Sequence, residues 1–104
     1  MTLDAIRKEL KEVRYYYARR AIFDKALREV GNKNIMDLVK KYNDAVSTAS
    51  PKLYDIYISL YVNYHTQEQL SEELNYSPDY VRKLNKDLLK FLQNKLNEQE
   101  AKQQ

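Results

Sequence analysis

Residues that break helices are almost absent from this chain, whose 104 residues include one Gly and two Pro. Gly31 suits the left-handed position that follows a helix. Each proline comes directly after a serine, in Ser50-Pro51 and Ser77-Pro78. Serine is a favoured N-cap, and proline is tolerated at the first helical position because its missing N–H would have no partner there. Since all three breakers mark helix ends, the sequence predicts an all-α fold.

The spacing of apolar residues and the capping residues together predict about five helices. They cover residues 3–30, 35–46, 51–64 and 78–97, with a short helix that starts after Thr66 and ends near Leu74. Thr66 and Gln69 form a capping box for the short helix, and Asn34 is the predicted N-cap of the second helix. The polar residues 97–104 are expected to fray. No internal repeat is visible.

The long N-terminal helix carries its apolar residues in two registers. A stripe that begins at Leu3 reaches Tyr17, and a second stripe resumes at Phe23, with a slip near Tyr16 and Arg20. Such a helix can dimerise as a coiled coil or pack against residues 35–46 of its own chain, and the pattern leaves both outcomes open.

Composition excludes most familiar enzyme chemistry. The chain has no Cys and one His, His65, so it has neither a thiolate zinc site nor a two-histidine metal helix. A single Gly is too few for a P-loop or a dinucleotide-binding fingerprint. We therefore expect no enzyme activity, no catalytic residues, no metal and no cofactor.

The distribution of apolar residues gives no sign of a membrane segment. No apolar run approaches the roughly 20 residues that a transmembrane helix needs. The N-terminus runs directly into a charged amphipathic segment and shows no signal peptide. The expected location is the cytoplasm, without membrane partners.

Residues 66–86 fit the demands of a helix-turn-helix. Its first helix needs apolar residues four positions apart, here Leu70 and Leu74, and a small residue between them, here Ser71. The turn needs a residue that tolerates positive φ, and Asn75 does so best after glycine. The second helix begins at the N-cap Ser77 and returns two apolar residues, Val81 and Leu84, to the core. This pattern predicts a C-terminal tri-helical helix-turn-helix.

Charge separates the two helices of this motif. At about 100° per residue, the basic residues of the second helix lie on one edge and its apolar residues lie opposite, with Asp79 at the N-terminal end of that edge. Residues 77–97 contain five basic and two acidic residues, whereas residues 51–76 contain one basic and four acidic residues. A net charge of +3 over the whole chain is mild, but this distribution would direct the second helix toward phosphates.

The tyrosines are expected to be structural. Tyr57 and Tyr61 belong to a helix that is apolar around most of its circumference, which predicts burial. Tyr64 and Tyr76 lie near the ends of the motif and stay open between packing and donation of a hydroxyl to a phosphate. His65 is expected in an exposed loop.

The stretch TQEQLSEELNYSPDYVRKLNKDLLKFL resembles the promoter-reading C-terminal domain of bacterial sigma factors. It resembles more closely the small phage-encoded transcriptional regulators of Gram-positive bacteria of the RinA and ArpU type. The resemblance covers residues of about 51–97 and departs at Ser71, where alanine is commoner, and at Asn75, where glycine is commoner. It implies a phage or prophage regulator that binds double-stranded DNA.

These observations predict a sequence-specific regulator of transcription with three segments. Residues 1–49 form a helical hairpin and candidate dimerisation element, residues 50–98 bind DNA, and residues 99–104 form a polar tail. The candidate DNA-binding residues are Ser77, Asp79, Tyr80, Arg82, Lys83, Lys86 and Lys90. The expected partners are double-stranded DNA, a second copy of the chain and RNA polymerase. A small subunit of a phage terminase, or a helical adapter that contacts RNA polymerase or a host factor, are the alternatives.

Overall fold

The computed structural model describes residues 1–30 and 34–102, with the side chains of residues 1–25 and 34–101. Every regular element in these ranges is helical, which confirms the all-α prediction. The helices are α1 (Leu3–Ala18), α2 (Arg20–Val30), α3 (Asn34–Val46), α4 (Pro51–Tyr57), α5 (Gln67–Leu74) and α6 (Pro78–Lys102). A π-helical turn, Ile58–Val62, continues α4.

The prediction of one helix over residues 3–30 is wrong, because the chain breaks at Arg19. The backbone of Arg19 leaves the helical region, with φ −127° and ψ 30°, and its N–H still donates to the carbonyls of Tyr15 and Tyr16. The break lies where the two apolar registers meet. It brings the Phe23 ring 5.5 Å from the Tyr15 ring and 5.9 Å from the Tyr16 ring, measured between centroids. The slip in the sequence is therefore resolved by a bend.

The predicted caps of the C-terminal half are confirmed. Ser50 Oγ accepts the Leu53 N–H (3.4 Å), and Ser77 Oγ accepts the Tyr80 N–H (3.2 Å). Both hydrogen bonds of the capping box between Thr66 and Gln69 form, at 3.0 and 2.8 Å.

Other helix ends differ from the predictions. Asn34 is the first residue of α3 rather than the residue before it, and the predicted stop at Gly31 lies outside the described residues. The last helix continues to Lys102, beyond the predicted end near residue 97. Glu, Gln, Ala and Lys, which fill residues 98–102, are all good helix formers, so the polar composition does not end the helix.

Arg14 of α1 closes the C-terminal end of the π-helical turn. Its Nε donates to the Leu60 carbonyl (3.1 Å), and its Nη2 donates to the Tyr64 carbonyl (2.8 Å). These carbonyls have lost their helical partners, because Asn63 donates to Ile58 in the i→i+5 pattern and Tyr64 has a positive φ of 43°. A guanidinium at a helix C-terminus also complements the helix dipole.

One hydrophobic core joins both halves of the chain. Its fully buried apolar residues come from α1, α3, α4 and its π-helical turn, α5 and α6. The largest contribution comes from α6, with Val81, Leu84, Leu88, Leu89, Leu92 and Leu96. The α1 stripe of Ile6, Leu10 and Val13 is buried in this core, so α1 packs within the chain. That the chain forms a homodimer stays a prediction.

Buried tyrosine hydroxyls bond across the helices. Tyr57 Oη donates to Asn43 Oδ1 (2.6 Å), and Tyr42 Oη donates to Glu9 Oε1 (2.6 Å). Burial raises the pKa of Tyr42, and its hydrogen bond to Glu9 raises it further; burial also raises the pKa of Tyr57. The prediction that Tyr57 lies in the core is confirmed, whereas Tyr64 is half exposed. Within the described residues no helix is both long enough and apolar enough to cross a membrane.

Candidate nucleic-acid interface

Asn75 forms the turn between α5 and α6 in the predicted left-handed conformation, with φ 59° and ψ 32°. Its N–H and that of Tyr76 both donate to the Ser71 carbonyl, and Ser71 Oγ donates to the Tyr76 carbonyl. Ser71 is 9% exposed, so it fills the predicted small position at the crossing of the helices. The serine also fixes the turn, which alanine could not do. Ser71 and Asn75 therefore each have a physical role in this turn.

Most of the apolar positions of the motif lie where the sequence predicts them. Leu70, Val81 and Leu84 are buried. Leu74 is 45% exposed, although it has the predicted spacing of four positions from Leu70. It points in the same angular sector as Leu70, but it is the last residue of α5 and lies past the edge of the core. There it lines an open groove of about 570 Å³ between α4, the π-helical turn and Tyr76.

Tyr80 lies on the side of α6 that faces α4. Lys52 Nζ donates to its hydroxyl oxygen (2.8 Å), and its ring packs against the edge of the Tyr76 ring, with 4.9 Å between centroids. The hydrogen bond to Tyr80 raises the pKa of Lys52. Tyr80 therefore anchors the start of α6 to the start of α4, and its predicted role in DNA binding stays a prediction.

Four basic side chains form one exposed edge of α6, which we name the α6 basic edge: Arg82, Lys83, Lys86 and Lys90. The opposite face of the same segment is closed by the buried side chains of Val81, Leu84 and Leu88. At 1.5 Å per residue, the edge extends over about 12 Å of the helix axis. The structure thus brings together these four candidate residues on a single surface.

The acidic neighbours of this edge leave part of it unpaired. Asp79 forms an ion pair with Arg82, and Asp87 Oδ2 lies 3.9 Å from Lys83 Nζ. Both pairs are largely exposed, so they are weak and exchangeable. Among the residues that the structure describes, no carboxylate lies within ion-pair distance of Lys86 or Lys90. Two cations are therefore available without any rearrangement.

Ser77 is the remaining candidate, at the N-terminal end of the edge. Its Oγ accepts the Tyr80 N–H as the N-cap, and a hydroxyl that accepts one hydrogen bond can donate another. Ser77 and Asp79 are both exposed. They flank the first turn of α6, next to the α6 basic edge.

The described residues offer no site for a metal. They contain no cluster of three His, Cys, Asp or Glu side chains. His65 is half exposed, with Nδ1 3.6 Å from Glu73 Oε2. Sequence reasoning placed His65 in an exposed loop and missed its proximity to α5.

Sequence reasoning also missed the two basic side chains that fix the motif from outside. Lys52 holds Tyr80, and Arg14 closes the turn that leads to α5. Neither residue stands out in the sequence, because their partners are 28 and 46 positions away.

Comparison of the chain with models of known protein families, with curated proteins and with solved structures gives no match.

Proposed function

We propose that this protein is a transcriptional regulator that binds double-stranded DNA by placing α6 in the major groove. One observation carries the proposal: the second helix of a helix-turn-helix exposes a four-residue basic edge while its opposite face closes the core. The turn fixes the angle of this helix, and the core covers its opposite face, so one surface of the segment is left to contact a partner. That surface is cationic.

The dimensions of α6 support this mode of binding. A helix with its side chains is about 10–12 Å across, and the major groove is about 12 Å wide. Arginine and lysine donate to the edge of guanine and to phosphates. Arg82 and Lys83 near the start of α6 are proposed to reach base edges, and Lys86 and Lys90 to contact phosphates.

The resemblance to regulators of the RinA and ArpU type supports the same proposal. The resemblance extends the proposal to a phage or prophage protein, and we add a homodimer and contact with RNA polymerase as separate predictions. These finer statements, and the absence of enzyme activity, stay predictions.

A protein–protein adapter is the second candidate, and the groove beside Leu74 favours it. Tyr54 and Leu74, at 42% and 45% exposed, give this groove apolar walls that a partner helix could cover. In that case the protein would bind without DNA.

Substitutions that remove positive charge from α6 test the proposal. Arg82→Gln combined with Lys86→Gln should weaken binding to a labelled duplex in fluorescence anisotropy. The slope of log affinity against log salt should flatten by about 0.9, because Lys86 is the proposed phosphate contact of this pair and each lost phosphate contact removes about 0.9. The thermal melt followed by circular dichroism should stay unchanged, since both side chains are exposed.

Lys25→Gln combined with Lys95→Gln is the matched control. It removes the same charge from α2 and from the far side of α6, and should leave the slope at the wild-type value. The proposal is wrong if the Arg82/Lys86 variant binds duplex DNA with the affinity of the wild type. It is also wrong if the Arg82/Lys86 and Lys25/Lys95 variants lose the same amount of affinity.

A further inference from the structure

The first turns of α1 and α6 carry the same sequence pattern. TLDAIRKELK begins at Thr2 and SPDYVRKLNK begins at Ser77. Both have a hydroxyl N-cap, an aspartate two positions later, a β-branched apolar residue, an Arg-Lys pair and a further lysine. The matched pairs are Thr2 and Ser77, Asp4 and Asp79, Ile6 and Val81, Arg7 and Arg82, Lys8 and Lys83, and Lys11 and Lys86. The similarity is confined to these ten residues.

The two segments also have the same structure. Thr2 Oγ1 accepts the Ala5 N–H (3.1 Å), as Ser77 Oγ accepts that of Tyr80. Arg7 Nη1 lies 3.1 Å from Asp4 Oδ1, which repeats the ion pair between Arg82 and Asp79. Ile6 and Val81 are both fully buried.

The basic residues of this segment form an exposed surface, which we name the α1 basic edge: Arg7, Lys8 and Lys11. In the described part of the chain, no carboxylate lies within ion-pair distance of Lys8 or Lys11. Glu9, the acid between them, is turned away toward α3, where Lys41 and Tyr42 both donate to it.

Hydrogen bonds at both ends of α1 place this edge beside the middle of α6. At the start, the Met1 amino group donates to Asn97 Oδ1 (2.7 Å), and Gln93 Nε2 donates to the Met1 carbonyl (3.0 Å). At the far end, Arg14 bonds the Leu60 carbonyl.

The residue after Leu60 extends this link to α6. Tyr61 Oη donates to Asn85 Oδ1 (2.6 Å). The helix α1 therefore runs antiparallel to α6, and residues 7–11 lie level with the stretch between Asn85 and Gln93, which contains Lys86 and Lys90.

Within the α1 basic edge, Arg7 pairs with Asp4 and also acts electrostatically on the Tyr61 hydroxyl. Burial raises the pKa of Tyr61, while its hydrogen bond with Asn85 and the nearby Arg14 and Arg7 act in the opposite direction. Arg7 thus contributes to the electrostatic environment of the Tyr61 hydroxyl. The partner of that hydroxyl, Asn85, is one position from Lys86 and three from Arg82.

We propose that the α1 basic edge binds the DNA phosphates that flank the groove entered by α6, so that two antiparallel helices share one duplex. This inference rests on the proposed function. Packed helices lie about 8–10 Å apart, which is less than the width of the major groove, so a duplex on α6 has backbone phosphates within reach of α1. Phosphate contacts fix position and affinity but carry no sequence information. The α1 basic edge therefore adds affinity and salt dependence, and leaves the choice of sequence to α6.

The test compares Arg7→Gln combined with Lys11→Gln against the wild type and the two double variants above. Each is titrated at several salt concentrations with a duplex selected from a random pool and with an unselected duplex of equal length. The Arg7/Lys11 variant should flatten the log–log salt slope by about two on both duplexes and keep their affinity ratio. Arg7→Lys combined with Lys11→Arg should keep the wild-type slope, and circular dichroism should show equal folding.

The outcomes separate the inference from the proposed function. The inference is overturned if the Arg7/Lys11 variant keeps the wild-type salt slope while the Arg82/Lys86 variant has a flatter one. It is also overturned if the Arg7/Lys11 variant changes the affinity ratio between the two duplexes. If the wild type shows no salt-dependent binding to either duplex, the proposed function fails and the inference fails with it.

Discussion

The turn at Asn75 gives the sharpest test of how this chain sets the angle of α6. At φ 59° and ψ 32° the residue is left-handed, where an L-residue with a Cβ loses about 1–2 kcal/mol and asparagine loses less. Asn75→Ala should therefore lower the free energy of unfolding by about 1 kcal/mol. Asn75→Gly removes the Cβ, but it raises the conformational entropy of the unfolded chain, which costs about 0.5–1 kcal/mol of stability. The net change in the free energy of unfolding should therefore be close to zero.

Ser71 supports the same turn through its hydroxyl. Ser71→Ala removes the hydrogen bond to the Tyr76 carbonyl and should cost about 1 kcal/mol, rising toward 3 kcal/mol where that carbonyl finds no other partner. Because Ser71 and Asn75 fix one turn, their effects should not add in the double variant.

Urea denaturation followed by circular dichroism measures these changes. We expect the wild type and Asn75→Gly to be about equally stable, and Asn75→Ala to be less stable than either. A 1 kcal/mol loss should also lower Tm by about 4–8 °C in a domain of this size. The reasoning is refuted if Asn75→Ala is as stable as the wild type while Asn75→Gly is less stable, since that order belongs to a residue with negative φ.

Two further predictions concern the core and its tyrosines. Leu92→Ala removes a fully buried side chain and should cost about 2–5 kcal/mol in urea denaturation, whereas Leu74→Ala should cost less than about 1 kcal/mol; equal losses would contradict the exposure of Leu74. Burial raises the pKa of Tyr42, Tyr57 and Tyr61 above 10.0, so the folded chain keeps protons that the unfolded chain releases above that pH. The free energy of unfolding should be unaffected below about pH 9. Above about pH 10 it should fall by up to about 1.4 kcal/mol per pH unit for each buried tyrosine. A urea midpoint that stays constant up to about pH 11 would show that these hydroxyls are not buried.

The starts of the helices in the C-terminal half could be predicted from the sequence because local chemistry determines them. A serine before a proline, or a threonine three positions before a glutamine, satisfies backbone groups within one turn, and no distant contact can replace it. Asn75 belongs to the same class, since its left-handed backbone depends on the residue itself. The exposed α6 basic edge followed from periodicity alone.

The features that the sequence did not reveal depend on contacts between distant residues. The break at Arg19 lies where the two apolar stripes meet and lets Phe23 pack against Tyr15 and Tyr16, whereas periodicity shows only that the stripes are out of register. The π-helical turn is closed by Arg14 from another helix. Leu74 has the spacing of a core residue, but the core ends before it. The α1 basic edge was missed because its repeat is short and its position beside α6 is a tertiary fact.

The α6 basic edge is proposed to be the surface that binds DNA. Titrating the isotopically labelled protein with a duplex selected from a random pool, and following its backbone amides by NMR, locates that surface directly. We expect the largest changes in amide chemical shift in residues 77–90, smaller ones in residues 7–11, and little change around Tyr54 and Leu74. Shifts concentrated in the groove of Tyr54 and Leu74, with residues 77–90 unchanged, would contradict it.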